Sequence, residues 1–319
     1  MAIFGKVVGV IGTLAVIVMT GCDGGGGSSS SVSLPMLNVS QAEANVTTGT
    51  EAATMIIGAN YTGSIGLLST SSTSEATFDP LTYVKQHVTK YEVLVSSSAT
   101  VQPAASDSFT YTCESGTISY SVSTNDSGTS GSATIVYDQC SESGVVMDGT
   151  IKMSVTGTTL NDYDYTLLTS AILFATDFTV TYESSAYTIH LGTYINDSYT
   201  IYDYNTGHIA GTETSSLWID YNGNENYRYD DLTVEFDQDY YTNDTMTACY
   251  KSGRVYVENL TAYLDINAQF DPYCEQKFMW DYSKTYPLYS GTMEFLGSNG
   301  SKVLVMADPN SNDLNVTVE

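Results

Sequence analysis

Length, composition and charge already narrow what this chain can be. Its 319 residues are enough to bury a core in one large domain or two smaller ones. The 36 acidic and 10 basic residues give a formal net charge of -26, which repels phosphate backbones, so we expect no nucleic acid partner. Charged residues make up only 14% of the chain and 26 residues are tyrosine, a composition that favours strands over helices.

The first 21 residues have the composition of an export signal. Lys6 precedes an apolar stretch, residues 7–19, that is too short and too weakly flanked to persist as a membrane span. We therefore expect this segment to be removed and to form no part of the fold.

The signal ends in Val18-Met19-Thr20-Gly21-Cys22, which resembles the lipobox of bacterial lipoproteins apart from Met19, where leucine is commonest. In that family the cysteine receives a diacylglycerol and becomes the new N-terminus. The resemblance covers residues 1–22 alone and implies a lipid anchor at Cys22, with palmitate among its acyl chains. The alternative is an ordinary cleaved signal beside which a cysteine happens to lie.

A glycine-serine stretch follows the cysteine at residues 24–31. About 8 such residues behave as a flexible coil with an r.m.s. reach of ~15 Å, so residues 22–31 form a lipidated tether that lets a domain stand off the bilayer. Asp23 resembles the signal that retains lipoproteins in the inner membrane of enteric bacteria. We expect a chain exported and lipid-anchored to the bacterial envelope, with the choice between inner and outer membrane left open.

Residues 32–100 have a mixed character. Ser40-Gln41-Ala42-Glu43 fits a capping box at the start of a short helix. Asp79-Pro80 is a stronger helix start, and apolar residues follow it at helical spacing: Leu81, Val84, Val88 and Tyr91. We therefore predict an amphipathic helix near residues 79–91 that packs on a sheet.

Residues 101–319 form a tyrosine-rich segment with the alternation of β-strands. Short strands follow glycine in Gly116 to Val122, Gly149 to Val155 and Gly291 to Phe295, and an Asp-x-Thr-Val-x-aromatic motif begins at both Asp177 and Asp231. Strand signals recur roughly every ten to fifteen residues. The prediction is an all-β fold, an antiparallel meander that forms a curved sheet, a half-barrel or a sandwich, with a minor helical N-terminal segment.

Four cysteines besides Cys22 lie in this segment: Cys113, Cys140, Cys249 and Cys274. Four cysteines allow three pairings, and we favour the local one, Cys113 with Cys140 and Cys249 with Cys274. Export to an oxidising compartment favours disulfides. A zinc site is disfavoured because the usual C-x-x-C spacing is missing.

Three acidic segments alternate oxygen-bearing side chains in the manner of calcium-binding loops. The calcium candidates are Asp203, Asn205, Asp220, Asn222, Asn224, Asp308, Asn310 and Asn312. The alternative, which we favour, is that all three segments are hairpin turns, since Asn222-Gly223 is a strong type I′ turn signal. No other cofactor is expected.

Tyrosine supplies the strongest compositional signal, because 12 of the 26 lie between residues 181 and 250. Aromatic rings with polar tips suit stacking on sugars or docking to a partner. The candidate ligand-binding residues are Tyr202, Tyr204, Trp218, Tyr221, Tyr227 and Tyr229. The alternative, which we favour, is that these rings are cross-strand pairs that hold the sheet together.

Catalytic motifs are missing from the sequence. The three histidines, His87, His190 and His208, accompany no Gly-x-Ser-x-Gly, His-Glu-x-x-His, P-loop or dinucleotide fingerprint, so we name no catalytic residue. We predict a non-enzymatic envelope lipoprotein that binds a glycan, a cation or an envelope protein, or that serves as a structural subunit. The alternative is a polysaccharide hydrolase or lyase with two Asp or Glu carboxylates about 5 to 9 Å apart in a cleft.

Overall fold

A computed structural model describes residues 33–61, 84, 106–124, 130–160, 165–203, 208–223, 225–239, 245–281, 288–311 and 313–319. The signal segment and the tether lie outside the described residues. So does the helix predicted near residues 79–91, apart from Val84, which is helical and buried.

The described residues form one α-helix, one short 3-10 turn at Ser298–Gly300 and eighteen strands. The helix is α1 (Val46–Tyr61). The strands are β1 (Ser40–Gln41), β2 (Ser106–Thr112), β3 (Ser115–Thr124), β4 (Ser130–Glu142), β5 (Val145–Leu160), β6 (Tyr165–Phe174), β7 (Phe178–Tyr182), β8 (Ser185–Ile189), β9 (Tyr194–Asp203), β10 (His208–Tyr221), β11 (Glu225–Asp239), β12 (Thr245–Val257), β13 (Ala262–Ile266), β14 (Phe278–Asp281), β15 (Leu288–Ser290), β16 (Thr292–Leu296), β17 (Lys302–Ala307) and β18 (Leu314–Val318).

The first strands form an antiparallel meander in which long strands are interrupted part of the way along. β2, β3, β4 and β5 are neighbours in chain order. β6 and β7 together make one broken strand, because residues 151–160 of β5 pair with β6 and residues 145–148 pair with β7. β8 and β9 make the next broken strand, and both pair with β10.

The second half continues in the same way. β10, β11 and β12 are neighbours; residues 254–257 of β12 pair with β13, and residues 245–248 pair with β14. β15 and β16 complete a broken strand against β14 and β13, and β17 and β18 follow. β1 joins β13 in parallel. The predicted all-β antiparallel meander with a minor helical N-terminal part is confirmed as one large sheet.

The interruptions lie at neighbouring positions across the sheet, and we call this line the seam. Bulges and register shifts mark it in β4, β10 and β11, and left-handed or extended positive φ values mark other strands. Its members are Gln139, Gly149, residues 175–177, residues 190–193, Ser216, Asp231, Gly253 and Gly291. Because bulges bend a strand and increase its twist, the sheet changes direction along the seam.

Gly149 shows why the seam needs particular residues. Its φ is +136°, and a β-carbon there would lie 2.8 Å from the Asp177 carbonyl oxygen and 2.8 Å from the Phe178 ring. Phe178 in turn packs edge-on against Tyr137 and Phe174, at centroid distances of 5.2 and 5.7 Å. The glycine therefore lets an aromatic side chain cross the bend and enter the core.

The N-terminal helix begins later than predicted. Ser40–Gln41, where the capping box was expected, forms β1 instead. Asn45 caps α1: its Oδ1 accepts hydrogen bonds from the backbone N–H groups of Thr47 and Thr48, and its own N–H donates to the Thr48 hydroxyl at 3.1 Å. This reciprocal arrangement competes successfully with the weaker signal upstream.

The helix closes one part of the core. It packs on β12, β13, β17 and β18, and the Tyr250 hydroxyl donates to the Ile56 carbonyl oxygen at 3.1 Å. The buried helix residues are Ala52, Ala53, Ile56 and Ile57. They join a single hydrophobic cluster that runs through β3 to β17.

Two disulfides support the sheet, and the predicted local pairing is confirmed. Cys113, which lies between β2 and β3, is bonded to Cys140 of β4, with 5.5 Å between the α-carbons. Cys249 of β12 is bonded to Cys274, which precedes β14, with 5.6 Å between the α-carbons. Each bond closes a loop across strands that the meander already brings together.

Candidate functional site

A row of rings and one guanidinium runs beside the seam from the residue after β8 across β10, β11, β12 and β13. We call it the indole row: His190, Trp218, Arg228, Tyr256 and Tyr263. The His190 N–H donates to the Trp218 carbonyl oxygen at 2.9 Å, Trp218 pairs with Arg228, and Tyr256 pairs with Tyr263. The His190 and Trp218 ring centroids are 4.1 Å apart, and those of Tyr256 and Tyr263 are 6.2 Å apart. Sheet register therefore assembles the row from distant parts of the chain.

Arg228 is the electrostatic centre of the row. Only 1% of its side chain is exposed, and its guanidinium carbon lies 5.1 Å from the Trp218 ring centroid and 4.8 Å from that of Tyr256. Its Nε and Nη2 donate to the two carboxylate oxygens of Asp230, both at 2.9 Å. A buried cation needs a paired anion and hydrogen bonds for its N–H groups. This bidentate pair supplies the anion and satisfies Nε and Nη2.

Tyr256 completes the cluster as a neutral phenol. Its hydroxyl donates to Asp230 at 2.7 Å. Burial, followed by that hydrogen bond to the carboxylate, raises the pKa of Tyr256 to about 12. The phenol therefore stays protonated at neutral pH and donates to the same Asp230 oxygen, Oδ2, that accepts from Nη2 of Arg228.

A more exposed pair lies next to the row. The Arg254 guanidinium lies 3.8 Å from the Tyr263 ring centroid, and its Nε donates to Asp265 at 3.0 Å. The Arg254 side chain is 42% exposed and that of Asp265 is 36% exposed. Gln41 of β1 also donates to Asp265, at 3.3 Å, so the N-terminal strand touches this end of the row.

Three buried polar atoms around Trp218 have no hydrogen-bond partner among the described residues: Nε2 of His190, Oδ1 of Asp220 and Nη1 of Arg228. Asp220 lies two residues after Trp218, opposite Asn226, whose Oδ1 accepts from the indole N–H at 3.1 Å. The three atoms comprise a donor, an acceptor and a ring nitrogen that can act as either. Unsatisfied buried atoms of this kind are rare, and each needs an ordered water, an ion or a ligand group as its partner.

The six aromatic residues predicted to share a binding face do not all lie together. Trp218 belongs to the indole row, whereas Tyr221 stacks on Tyr187 at 4.9 Å and Tyr229 is buried in the core. Tyr227 is adjacent to Arg228 and so projects to the other face of β11. Tyr202 is exposed at the far end of β9, and Tyr204 lies outside the described residues.

The calcium candidates are placed mainly in strands and turns. Asn222 and Gly223, with φ of 50° and 70°, form the turn between β10 and β11, as a type I′ hairpin requires. Asp203 and Asp220 lie within strands, and the Asp308 carboxylate accepts the Asn310 N–H at 2.9 Å. Asn205, Asn224 and Asn312 lie outside the described residues.

Metal-ligand types converge once within the described ranges. Cys113, Cys140 and Glu142 have potential ligand atoms within 4.8 Å of one another, but both cysteines are bonded in a disulfide. The calcium prediction itself stays a prediction.

A small cavity at the seam between β12 and β16 is lined by two carboxylates, Asp271 and Glu294. Asp271 accepts backbone N–H groups of Glu275 and Gln276, both at 2.8 Å. Burial opposes ionisation of Glu294, but hydrogen bonds from Asn267 and Lys302 outweigh it and lower the pKa of this carboxyl. Both carboxylates therefore act as hydrogen-bond acceptors within the fold, and Glu294 is a poor general acid.

Of the indole row, only Trp218 was among the candidate site residues named from the sequence. Arg228 carried a usable signal, because it is the one basic residue between residues 220 and 244. Asp230 follows it by two positions and so shares its face of β11. Tyr256 and His190 come from other strands, and nothing in the sequence places them beside Arg228.

A large antiparallel sheet with an aromatic and charged row thus defines the described part of the chain. In comparisons with protein-family models, curated proteins and solved structures, nothing matches it. Among the described helices, none has the length and apolar character to cross a bilayer.

Proposed function

We propose that this chain is a cell-envelope lipoprotein whose body binds a glycan at the membrane surface without catalysing a reaction. The lipobox-like exit at Cys22 and the glycine-serine stretch after it support the anchor. The surrounding composition, acidic and rich in hydroxyl side chains, is that of an exported β protein.

The observation that carries the ligand proposal is the set of three unpartnered polar atoms beside the Trp218 indole. Sugars present apolar C–H faces that stack on aromatic rings and hydroxyl groups that both donate and accept. Nη1 of Arg228 would donate to such a hydroxyl, and Oδ1 of Asp220 would accept from one. A neutral or cationic glycan fits better than an anionic one, because the chain carries a net charge of -26.

Binding is tested with a form that begins at Asp23, first on a glycan array and then by titration of each glycan retained. The Asp220→Asn variant keeps the size of the side chain but replaces the charged acceptor with a neutral amide, in which one carboxylate oxygen becomes an NH2 group that only donates. Loss of one hydrogen bond to a charged acceptor, about 1.5 to 3 kcal/mol, should weaken affinity at least about tenfold.

Two comparisons make this test specific. The Trp218→Ala variant should abolish binding, whereas the Tyr273→Ala variant, which removes a ring that is 84% exposed elsewhere, should bind as the unmodified protein does. Retention of every glycan by the Trp218→Ala and Asp220→Asn proteins, with the fold intact by circular dichroism, would contradict the proposed site.

The anchor is tested separately. Cells that produce the full chain in labelled palmitate should incorporate label into it, and the Cys22→Ser variant should incorporate none. Equal labelling of the two proteins, or none in either, would contradict lipidation at Cys22.

A further inference from the structure

Three side chains with complementary chemistry meet near the end of β13. Asn267 directly follows β13, Glu294 lies in β16 and Lys302 is the first residue of β17. One oxygen of Glu294, Oε1, accepts hydrogen bonds from both nitrogens, from Nζ of Lys302 at 3.0 Å and from Nδ2 of Asn267. An amine and a carboxamide, which can combine into a new amide with release of ammonia, therefore share one carboxylate oxygen.

Strand register brings these residues together. Lys302 pairs with Leu296, which is two residues from Glu294 and so lies on the same face of β16. On the other side of β16, the Asn267 N–H donates to the Glu294 carbonyl oxygen at 2.9 Å. The carboxylate therefore lies between the amine of one neighbouring strand and the amide at the end of the other.

The Asn267 amide is held in a defined orientation. Its Nδ2 donates to Glu294, while its Oδ1 accepts the backbone N–H of Gln269 at 3.1 Å. These two contacts identify which end of the amide is nitrogen and which is oxygen. They also suit attack on the amide carbon, because negative charge then develops on Oδ1, where the Gln269 N–H already donates.

Burial differs among the three residues in a way that suits reaction. Glu294 is only 3% exposed, and it lines the small cavity between β12 and β16 together with Asn267 and Phe270. The Lys302 side chain is 42% exposed, so its flexible stem has room to move. The amide and the carboxylate are thus fixed, and the amine is the mobile partner that is kept next to them, at a high effective concentration.

We propose that Lys302 and Asn267 form an intramolecular amide cross-link, with Glu294 as the proton carrier. Oε1 of Glu294 takes a proton from the Lys302 ammonium, and the free amine attacks Cγ of Asn267, so that an Nζ–Cγ bond forms. Glu294 passes this proton to Nδ2 and takes a second proton from Nζ. The Cγ–Nδ2 bond then breaks, and ammonia leaves with its electron pair.

The step is balanced without any co-reactant. The departing ammonia takes the second proton from Glu294 and becomes ammonium, so the carboxylate is restored. The low pKa of Glu294 suits this role, because the carboxyl must be ionised at the outset to accept a proton from Lys302. The new bond ties β17 to the end of β13 across β16, and it forms whether or not Cys22 is lipidated or a glycan is bound.

The test is peptide mapping by mass spectrometry of the full chain, purified from the cells that produce it. Trypsin cleaves after lysine and arginine but not after an acylated lysine. After reduction of the disulfides, residues 255–277 and 285–319 should be recovered as one linked species, lighter by one ammonia molecule than the two peptides together. Free peptides 255–277 and 285–302 should be depleted in step.

Three variants make the test specific. Lys302→Arg keeps a cation beside Glu294 but removes the nucleophile, so it should give no linked species. Glu294→Gln removes the proton carrier and should reduce linkage at least about a hundredfold. The matched control is Lys251→Arg: Lys251 also pairs with a glutamate, Glu235, at 3.6 Å, but its Nζ donates to the Pro272 carbonyl oxygen instead of sharing its carboxylate with an asparagine amide. This variant should be linked as fully as the unmodified chain.

The contrary outcomes are equally definite. Full recovery of free peptides 255–277 and 285–302 from the unmodified chain would overturn the inference. Loss of ammonia that persists in Lys302→Arg would also overturn it, because it would identify a succinimide at Asn299-Gly300 as the source. Unchanged linkage in Glu294→Gln, with the fold intact by circular dichroism, would refute the role of the carboxylate.

Discussion

Replacement of Arg228 by methionine tests the electrostatic account of the indole row most directly. Methionine retains much of the side-chain volume but removes the charge, both hydrogen bonds to Asp230 and the contacts with the Trp218 and Tyr256 rings. Removal of one partner from a buried ion pair costs about 3 to 5 kcal/mol, because the other charge is left unpaired. Asp230 is partly exposed and keeps the Tyr256 hydroxyl, so we expect a loss near 3 kcal/mol.

The chain offers a matched control one strand away. Arg254 pairs with Asp265 and lies over Tyr263, but both charged side chains are more than a third exposed. Solvent screens such a pair, and Arg254→Met should cost no more than about 1 kcal/mol. At about 2 to 4 °C per kcal/mol, the Arg228→Met protein should melt roughly 6 to 12 °C lower and the Arg254→Met protein within about 4 °C of the unmodified chain.

A double variant identifies the cause of the loss. Adding Asp230→Asn to Arg228→Met removes the stranded charge, so the pair should be less destabilising than the sum of the two single changes by at least about 1 kcal/mol in urea unfolding. Equal, small losses in Arg228→Met and Arg254→Met would refute the reasoning, because burial would then make no difference to the pair. Strict additivity in the double variant would refute it as well.

Three other predictions concern pH, backbone strain and metal. An unfolded tyrosine has a pKa of about 10, so the raised pKa of Tyr256 stabilises the fold below that pH, and this contribution is lost as the pH rises from about 10 to 12. The Tyr256→Phe protein should therefore show a shallower fall in the urea midpoint over that range. An equally steep fall would contradict the assignment. In Gly149→Ala the new β-carbon meets both a φ of +136° and the Asp177 carbonyl oxygen, so the free energy of unfolding should fall by about 2 to 4 kcal/mol. In the control Gly144→Ala, where φ is +81° and the space is open, it should fall by about 1 kcal/mol. Similar losses in the two proteins would contradict the close approach at Gly149. If the acidic turns bind calcium, millimolar calcium should raise the melting temperature and EDTA should reverse the rise; no shift under either condition would end that hypothesis.

The seam shows how far sequence patterns reach in this chain. The strands that follow Gly149 and Gly291, and the motifs at Asp177 and Asp231, stand out in the sequence as repeated echoes. In the structure these positions lie on the same bend, where Phe178 crosses Gly149 and Leu232 crosses Gly253. The local pattern is visible in one sequence, but its meaning depends on which strands become neighbours, and strand pairing is a non-local property.

The described members of the candidate aromatic face are divided between two faces of the sheet for a related reason. Residues one apart on a strand project to opposite faces, and a bulge such as that between Ser215 and Leu217 reverses the assignment partway along. A count of aromatic residues along a stretch of sequence does not separate the two faces. It therefore groups Tyr229, which is buried in the core, with Trp218, which lies on the other face of the sheet. The local disulfide pairs were accessible, because partners 25 and 27 residues apart in a meander lie on adjacent or nearby strands.

The seam also explains why polar side chains concentrate next to the indole row. A bulge removes backbone groups from the ladder, and those groups need other partners. At the seam the Ser216 hydroxyl accepts the Asp231 N–H at 2.7 Å, the Thr193 hydroxyl accepts the Trp218 N–H at 3.2 Å, and Asp177 accepts from Leu191. These bonds hold the backbone on both sides of Trp218 in irregular but defined geometry.

The hydrogen bonds at the seam also surround the three unpartnered polar atoms near Trp218, on His190, Asp220 and Arg228. His190 and Trp218 lie beside the bend, where the His190 N–H donates to the Trp218 carbonyl oxygen and the Trp218 N–H donates to the Thr193 hydroxyl, so the backbone of both residues is fixed. The same bulges that fold the sheet therefore place around one indole ring three buried polar atoms without hydrogen-bond partners among the described residues, and the proposed glycan site rests on these atoms.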